Sequence, residues 1–559
     1  MVPVSNLSTK KVENLLFTGL ILVTLFVNPL SNTDGINVPK LWVISAFSFA
    51  LFSLIVYEFK KLFPKNRFTF FAILVFISFL LVALIVSRAP LEQQLFGTYA
   101  RNTGFLAYLS LSIMFLASAI MTTSRFIKLL LIAALVTFTF NVIFGLIQYL
   151  GLDPFDWSTP YSPIIGTFGN PNFISAFLGM GIGLSTVLLF SKEFSKNLKF
   201  LLLLVILGAY FLIYESNSIQ GLIVVAISYS VIAMTYLHTY SKNLKINIPF
   251  YFFIFTSFTL AIMGMLQKGP FSSFFYKPSV TYRGDYWRAG FEMMKDYPFF
   301  GIGLDSYGDW YRQYRTFEAI ERRGPSAVTD SAHNVFFDIS TTAGIPALIA
   351  YIVIVSLALR TVYKRIKSLK SFDPIFVAIL VMWLGYLAQS VISINNLALA
   401  IWGWVLPGFL IAIDRTQGAE SKTTPNDNSR TRPRINDFSG MIMSVGFLFG
   451  AALGFLPYNA DANLKHAILS RNADQIIAAN SKWPTDTGRS LIVIQVFSDN
   501  GYQEIAVKLA RDLLTKNPRS FNAWYFLYKS DVVGSEEKKE ILKKLKALDP
   551  NNPELKTLG

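Results

Sequence analysis

The chain has no cysteine and only three histidines in 559 residues. The first absence excludes disulfides, a thiolate nucleophile and zinc–thiolate sites; the second excludes a histidine-rich metal centre. Charge is scarce as well. Asp, Glu, Lys and Arg make up 15% of the residues, against roughly a quarter in soluble domains. What takes their place is apolar: 53% of the chain is hydrophobic, 51 residues are Phe, and mean hydropathy is +0.46. This composition predicts an all-α polytopic membrane protein. The net charge of +16 does not point to nucleic acid, because Lys and Arg collect in short loops between apolar runs, where membrane topology places them. No nucleic-acid partner is expected.

Apolar runs long enough to cross the hydrocarbon core, about 18–22 residues, lie near 14–30, 40–58, 68–87, 104–122, 126–150, 172–191, 198–215, 219–238, 248–267, 343–361, 374–393, 396–414 and 439–456. They give about thirteen transmembrane helices. Lys10-Lys11 before the first run resembles a signal peptide, but the run is long and has no evident small-residue cleavage site, so it reads as a first span. One set of loops is basic: Lys10-Lys11, Lys60 to Arg67, Arg125 and Lys128, Lys192 to Lys199, Lys242 and Lys245, Arg360 to Lys370, and Arg415 to Arg434. It alternates with loops poor in Lys and Arg, such as 31–40, 151–171 and 394–396. The basic set is expected to be cytoplasmic, which also puts the N-terminus there.

Two segments break the pattern of short loops. Residues 268–342 form a long outer loop with nine basic and nine acidic residues, Trp287, Trp310 and several tyrosines. Loops of this length are usually functional, and short helices are expected near 282–296, 303–316 and 329–340. The second segment comes after the last span. The reading is a bundle over 1–414, a polar cytoplasmic linker over 415–438, a last span at 439–456 and a soluble helical domain over 457–559. In that domain Pro484, Pro518 and Pro550 recur at spacings of 34 and 32, with amphipathic runs before the last two. This resembles tetratricopeptide repeats, whose unit is 34 residues with a proline at the helix end.

The candidate chemistry lies on the outer side. His333 is the one histidine placed between spans there; His238, at a cytoplasmic helix end, and His466, in the C-terminal domain, read as structural. An imidazole suits proton transfer near neutral pH. Arg283 and Arg288 lie five apart beside Tyr286-Trp287. Guanidinium forks bind phosphate oxygens and keep their charge, and the aromatic pair suits a sugar face; alternatively these arginines pair with Asp285 or lipid phosphate. Arg101 sits at the outer entrance of the fourth span, free to snorkel or to meet a phosphate. Asn170-Pro171 starts the sixth span as cap and first turn, and that helix N-terminus could face an anion. Pro298-Phe299-Phe300-Gly301-Ile302-Gly303 reads as a tight turn rather than a nucleotide motif, since no strand precedes it.

Ala332-His333-Asn334-Val335-Phe336-Phe337, with Thr342-Ala343-Gly344-Ile345-Pro346 leading into a span, resembles the signature of the O-antigen ligase and O-antigen polymerase superfamily. So do Tyr286-Trp287-Arg288-Ala289, the Pro298–Gly303 stretch and Gly169-Asn170-Pro171-Asn172; the resemblance covers roughly residues 90–415. It implies a GT-C-like bundle in the bacterial cytoplasmic membrane, acting on a glycan linked to undecaprenyl diphosphate; the charge pattern puts the loop and C-terminal domain on the outer, periplasmic or extracellular, side. It also implies His333 as catalytic residue, and Arg283, Arg288, Trp287 and Asn334 among those that bind diphosphate and sugar. Many members carry a Ser-Arg pair where this chain reads Ser216-Asn217-Ser218-Ile219-Gln220-Gly221. Gln220 can only hydrogen-bond, so Arg101 is the expected substitute cation. No cofactor and no metal are expected. The acceptor is a lipid-borne core sugar, another repeat unit or a protein hydroxyl, corresponding to a ligase, a polymerase or a protein oligosaccharyltransferase; as partners these are a glycan, lipid or protein acceptor. A protein partner is expected for the repeats. A transporter or a repeat scaffold is the alternative of a different class.

Overall fold

A computed structural model describes residues 6–420, apart from 122, 158–161, 193, 242, 267, 276 and 277, and residues 438–558. Among the described residues every regular element is a helix. The first part of the bundle comprises α1 (Asn6–Leu25), α2 (Asn37–Tyr57), α3 (Phe59–Val86), the short α4 (Leu91–Phe96), α5 (Phe105–Ala119), α6 (Ser124–Tyr149), α7 (Pro171–Leu189), α8 (Lys196–Glu215), α9 (Ile219–Tyr240) and α10 (Leu244–Met265). The long loop folds into α11 (Ser272–Phe275), α12 (Pro278–Asp296), α13 (Tyr307–Tyr314), α14 (Phe317–Arg323) and α15 (Val335–Ala343). The bundle resumes with α16 (Ile345–Ser368), α17 (Pro374–Ile392), α18 (Leu397–Glu420) and α19 (Ser439–Ser470). The chain ends in α20 (Ala473–Asn480), α21 (Thr487–Asp499), α22 (Gln503–Lys516), α23 (Phe521–Lys529), α24 (Ser535–Leu548) and α25 (Pro553–Thr557).

Ten of these helices are long and apolar enough to span a membrane, and α5 and residues 397–413 of α18 are shorter apolar helices. Each of the thirteen expected runs falls on a helix, but α1 is not among the ten. The chain is thus a polytopic all-helical membrane protein. Small residues let the spans approach closely: a Cβ at Gly179 of α7 would lie 2.7 Å from the Gly221 carbonyl of α9, the kind of contact that holds helices together in lipid.

Contacts sort the connections into two ends. At the basic end Lys11 Nζ donates to Ser439 Oγ at 2.6 Å, Arg125 pairs with Glu13, and Arg365 with Asp373 at 2.8 Å. At the other end the charge-poor loops meet one another: Asn37 Nδ2 donates to the Ala100 carbonyl at 2.8 Å and Asn28 Nδ2 to Tyr458 Oη at 2.6 Å. Here the ammonium of Lys40 is wholly buried and donates to the carbonyls of Val23, Thr24 and Phe26 at 3.1, 2.8 and 3.2 Å. These are carbonyls that the end of α1 leaves without helical partners.

Two boundaries differ from the expectation. The division between 456 and 457 falls inside α19, which runs unbroken through Pro457 and joins the last span to the C-terminal module as one helix. The linker begins inside α18, which continues to Glu420; residues 421–437 lie outside the described residues. Beyond α19, α21 pairs with α22 and α23 with α24 across short turns, with Pro484, Pro518 and Pro550 in the connections. This C-terminal module has its own apolar core around Val493, Phe497, Ala506, Leu513, Leu527 and Leu545.

Candidate active site

The site is built on the loop between α10 and α16, at the charge-poor end. Two stretches of that loop clasp each other. Ile302 and Gly303 N–H donate to the carbonyls of Thr341 and Thr342 at 2.9 and 3.1 Å, and Ile345 N–H to that of Pro298 at 2.8 Å. Such contact needs glycine: Gly344 has φ +90, and a Cβ there would lie 2.1 Å from the Phe299 carbonyl oxygen. Pro298–Gly303 is therefore a tight turn, as its sequence suggests, and it fixes the C-terminal end of α15.

The other end of α15 carries His333. Asn334 caps the helix, its Oδ1 accepting from Phe336 and Phe337 N–H at 2.9 and 3.2 Å. The turn before it forces His333 into the left-handed region, φ +51, a conformation that costs a non-glycine residue energy and concentrates at functional sites. A hydroxyl and a carboxylate brace it. His333 N–H donates to Ser331 Oγ at 3.1 Å, and Ala332 N–H to Asp338 Oδ1 at 2.8 Å. Below, Phe336 packs on Tyr351, and Tyr351 on Trp404, anchoring α15 in the bundle.

The half-buried His333 ring lies 5.3 Å from that of Tyr286, tilted by 32°. Burial first, then the guanidiniums of Arg283, Arg101 and Arg323, pull its pKa down to about 3. The imidazole is therefore neutral near pH 7, the form that accepts a proton. Asp338 shifts the opposite way: burial lifts it to about 7 against the pull of Arg101.

The three cations differ in how they are held. Arg283, on α12, is buried. With its amide oxygen turned toward α12, Gln220 accepts from Arg283 Nη2 at 3.2 Å and its amide nitrogen donates to the Asn172 carbonyl at 3.3 Å. Gln220 thus holds a neighbouring arginine where it could not itself supply charge. Around it the starts of α7 and α9 lie side by side. Asn170 and Ser218 cap them through Asn172 and Gln220 N–H at 2.9 and 3.3 Å, Ser218 Oγ donates to Asn172 Oδ1 at 2.8 Å, and Gly221 N–H to Ser175 Oγ at 2.7 Å. Two helix N-termini and a guanidinium make this corner attractive to an anion.

Arg101 is buried and already balanced. Its Nη1 donates to the Asp330 carbonyl at 2.6 Å, and the carboxylates of Asp305 and Asp330 lie 3.5 and 3.6 Å from Nε and Nη1. It ties the 97–104 loop to the outer loop, where Asp305 Oδ2 also accepts from Thr98 N–H at 2.8 Å. Arg323, at the end of α14, is a site residue that the sequence pattern does not single out. It donates to Tyr286 Oη and lies over the ring of Tyr282 at 4.7 Å. Its one signal is Arg322-Arg323, a basic pair in an outer loop, of which the neighbour is neutralised, Arg322 Nε reaching Asp285 Oδ2 at 3.2 Å.

Not every expected residue converges. Arg288 faces solvent beside Glu318. Five residues separate it from Arg283, about 140° around a helix, so the two form no fork. Trp287 shares the Arg283 face; it stacks on Phe337 at 6.0 Å, and its buried indole N–H has no hydrogen-bond partner. Among the described residues no group of three or more His, Asp and Glu is arranged to hold a metal ion; the charges that face His333 are positive.

No curated protein matches the chain. Residues 174–352 match the family model described as Wzy_C, O-Antigen ligase. The match runs from the first turn of α7 into α16 and so takes in Gln220, Arg283, Arg323 and His333. That segment is similar to an O-antigen ligase domain, and it lies within a chain whose apolar helices make it a multi-pass membrane protein.

Proposed function

We propose that this protein transfers a glycan from undecaprenyl diphosphate to an acceptor hydroxyl at the outer face of the bacterial cytoplasmic membrane, with its N-terminus cytoplasmic and the α11–α15 loop and C-terminal module periplasmic. The observation that carries this reading is a neutral imidazole set among guanidiniums, beside two helix N-termini, at one end of a membrane bundle. Arg283, Arg323 and the starts of α7 and α9 hold the diphosphate and stabilise the charge that gathers on it as it leaves. The acceptor oxygen bonds to the anomeric carbon as the bond from that carbon to the diphosphate oxygen breaks. The electron pair stays with the diphosphate, and the acceptor proton passes to His333. A single displacement of this kind inverts the anomeric centre. A diphosphate needs no acid to depart, so the paired carboxylates of glycosidases are not required.

The C-terminal module reads as tetratricopeptide-like. Three acceptors suit the same site: a lipid-borne core sugar, a second repeat unit, or a protein hydroxyl. Purified protein, supplied with a lipid-diphosphate oligosaccharide and each acceptor class in turn, is expected to release one lipid diphosphate per glycan transferred to one of them. Solute or lipid movement across proteoliposomes without any transfer would favour a transporter and defeat the proposal.

A further inference from the structure

One carboxylate of the C-terminal module grips the loop that leads to His333. Asp549, just past α24, is 1% exposed, and both its oxygens meet guanidiniums. Arg315 Nε and Nη2 donate to Oδ1 and Oδ2 at 3.0 and 2.5 Å, and Arg312 Nη1 to Oδ2 at 3.2 Å. Arg315 is itself 1% exposed, and its other N–H groups reach the loop main chain, Nη1 to the Ala327 carbonyl at 3.0 Å and Nη2 to that of Pro325 at 2.8 Å. Arg312 Nη1 also reaches Pro325 O at 3.2 Å, and Asn551 Nδ2 returns a bond to the Arg315 carbonyl at 2.8 Å. Carboxylate, guanidinium and loop carbonyls form one closed set. The loop it grips begins at Arg323 and runs into His333.

Stability alone does not account for such a set. Desolvation of a buried pair roughly cancels its attraction, whereas loss of one partner strands the other charge. Without the Asp549 carboxylate, Arg312 and Arg315 face each other as like charges, and the guanidinium that holds residues 325 and 327 has nothing to orient it. We infer that Asp549 is a positioning residue of the transfer site: through Arg315 it fixes the segment that carries Arg323 and His333, so the C-terminal module is part of the active site and not solely an arm for partners. This rests on the transfer reading above. Other contacts keep the module docked when Asp549 changes. Arg519 lies over Trp310 at 3.4 Å and donates to Gln313 Oε1 at 2.6 Å, and Asp486 Oδ2 accepts from Tyr99 N–H at 3.1 Å.

Because the chain has no cysteine, Ser326→Cys gives a single attachment point for a nitroxide on the gripped loop. In the full-length protein Asp549→Asn is expected to loosen that label and to slow transfer by up to about 100-fold, the scale of an ångström-sized displacement. The acid limb of the kcat/KM profile should also move to higher pH, because Arg323 no longer sits where it depresses His333. Asp549→Glu should recover part of the loss, and the exposed Asp531→Asn should change nothing. If Asp549→Asn fails to accumulate, the double variant Arg315→Met, Asp549→Leu removes the fully buried pair together, leaves Arg312 on the Phe521 ring and the Pro325 carbonyl, and should fold with the same loosened loop and slowed transfer. A tight label, with wild-type rate and profile, overturns the inference while His333→Ala remains the separate test of the transfer reading. If the wild type transfers nothing, that reading fails and the positioning role in transfer falls with it; the label then decides only whether Asp549 holds the 325–327 loop, loosened if it does and unchanged if it does not.

Discussion

The two ends of the bundle are held by different means. At the basic end the ion pairs are local or partly exposed, as in Arg365–Asp373 and Lys61–Glu58. Pairs of this kind contribute about 0–1 kcal/mol; the one that joins distant segments, Arg125–Glu13, leaves its guanidinium largely exposed. At the other end charge is buried: Lys40 on the end of α1, Arg101 between Asp305 and Asp330, Arg315 on Asp549. Each joins separate segments of the chain, and each would be costly if left half-made. Burying charge where apolar packing would suffice is a poor way to gain stability. It is a good way to fix a unique arrangement of polar groups, which an active site needs.

The largest effect that separates the ends should come from the clasp under the site. Gly344→Val, with φ +90 and no room beside Phe299, should cost about 4 kcal/mol or more, read as loss of folded protein in detergent by thermal melting; a variant that melts with the wild type would mean the clasp is soft. Next is Arg283→Met, which should lower kcat/KM by about 10²–10³-fold, the scale of one transition-state electrostatic contact. It should also shift the pH profile. Arg283 helps depress His333, so its removal raises that pKa; the base is active when deprotonated, and rate is then lost at higher pH as the solution is acidified. An unshifted acid limb would place the two groups too far apart to interact. The smallest effect should be that of Arg288→Ala, within about twofold in rate, since exposed charges contribute little; a loss as large as that of Arg283→Met would mean α12 is turned the other way.

The bundle was legible because a span is a property of a run of residues, and every expected run lies on a helix. The start of α7 was legible for the same local reason, since Asn170-Pro171 reads as cap and first turn and the Asn170 amide accepts from the Asn172 N–H, whereas the cap role of Asn334 was not read from the sequence. His333 could be singled out by place and chemistry. The Arg283–Arg288 pair was misleading because spacing in sequence was read without its angle around a helix. What remained hidden depends on distant partners. Nothing near Arg323 says that it turns toward Tyr286 while Arg322 takes Asp285, nothing in Gln220 announces Arg283, and no local pattern links Arg315 to Asp549. The proline periodicity marked helix connections in the module but said nothing of the surface it rests on. The 456/457 division lies within one helix, because a change in composition is not a break in a helix.

The central claim is that His333 takes the acceptor proton during glycan transfer. The most direct measurement is the transfer rate of purified His333→Ala with a lipid-diphosphate glycan and its acceptor, at saturating donor. The account predicts a fall of about 10²–10⁴-fold with donor affinity nearly unchanged, because the diphosphate is held by other groups. Transfer at the wild-type rate would contradict it.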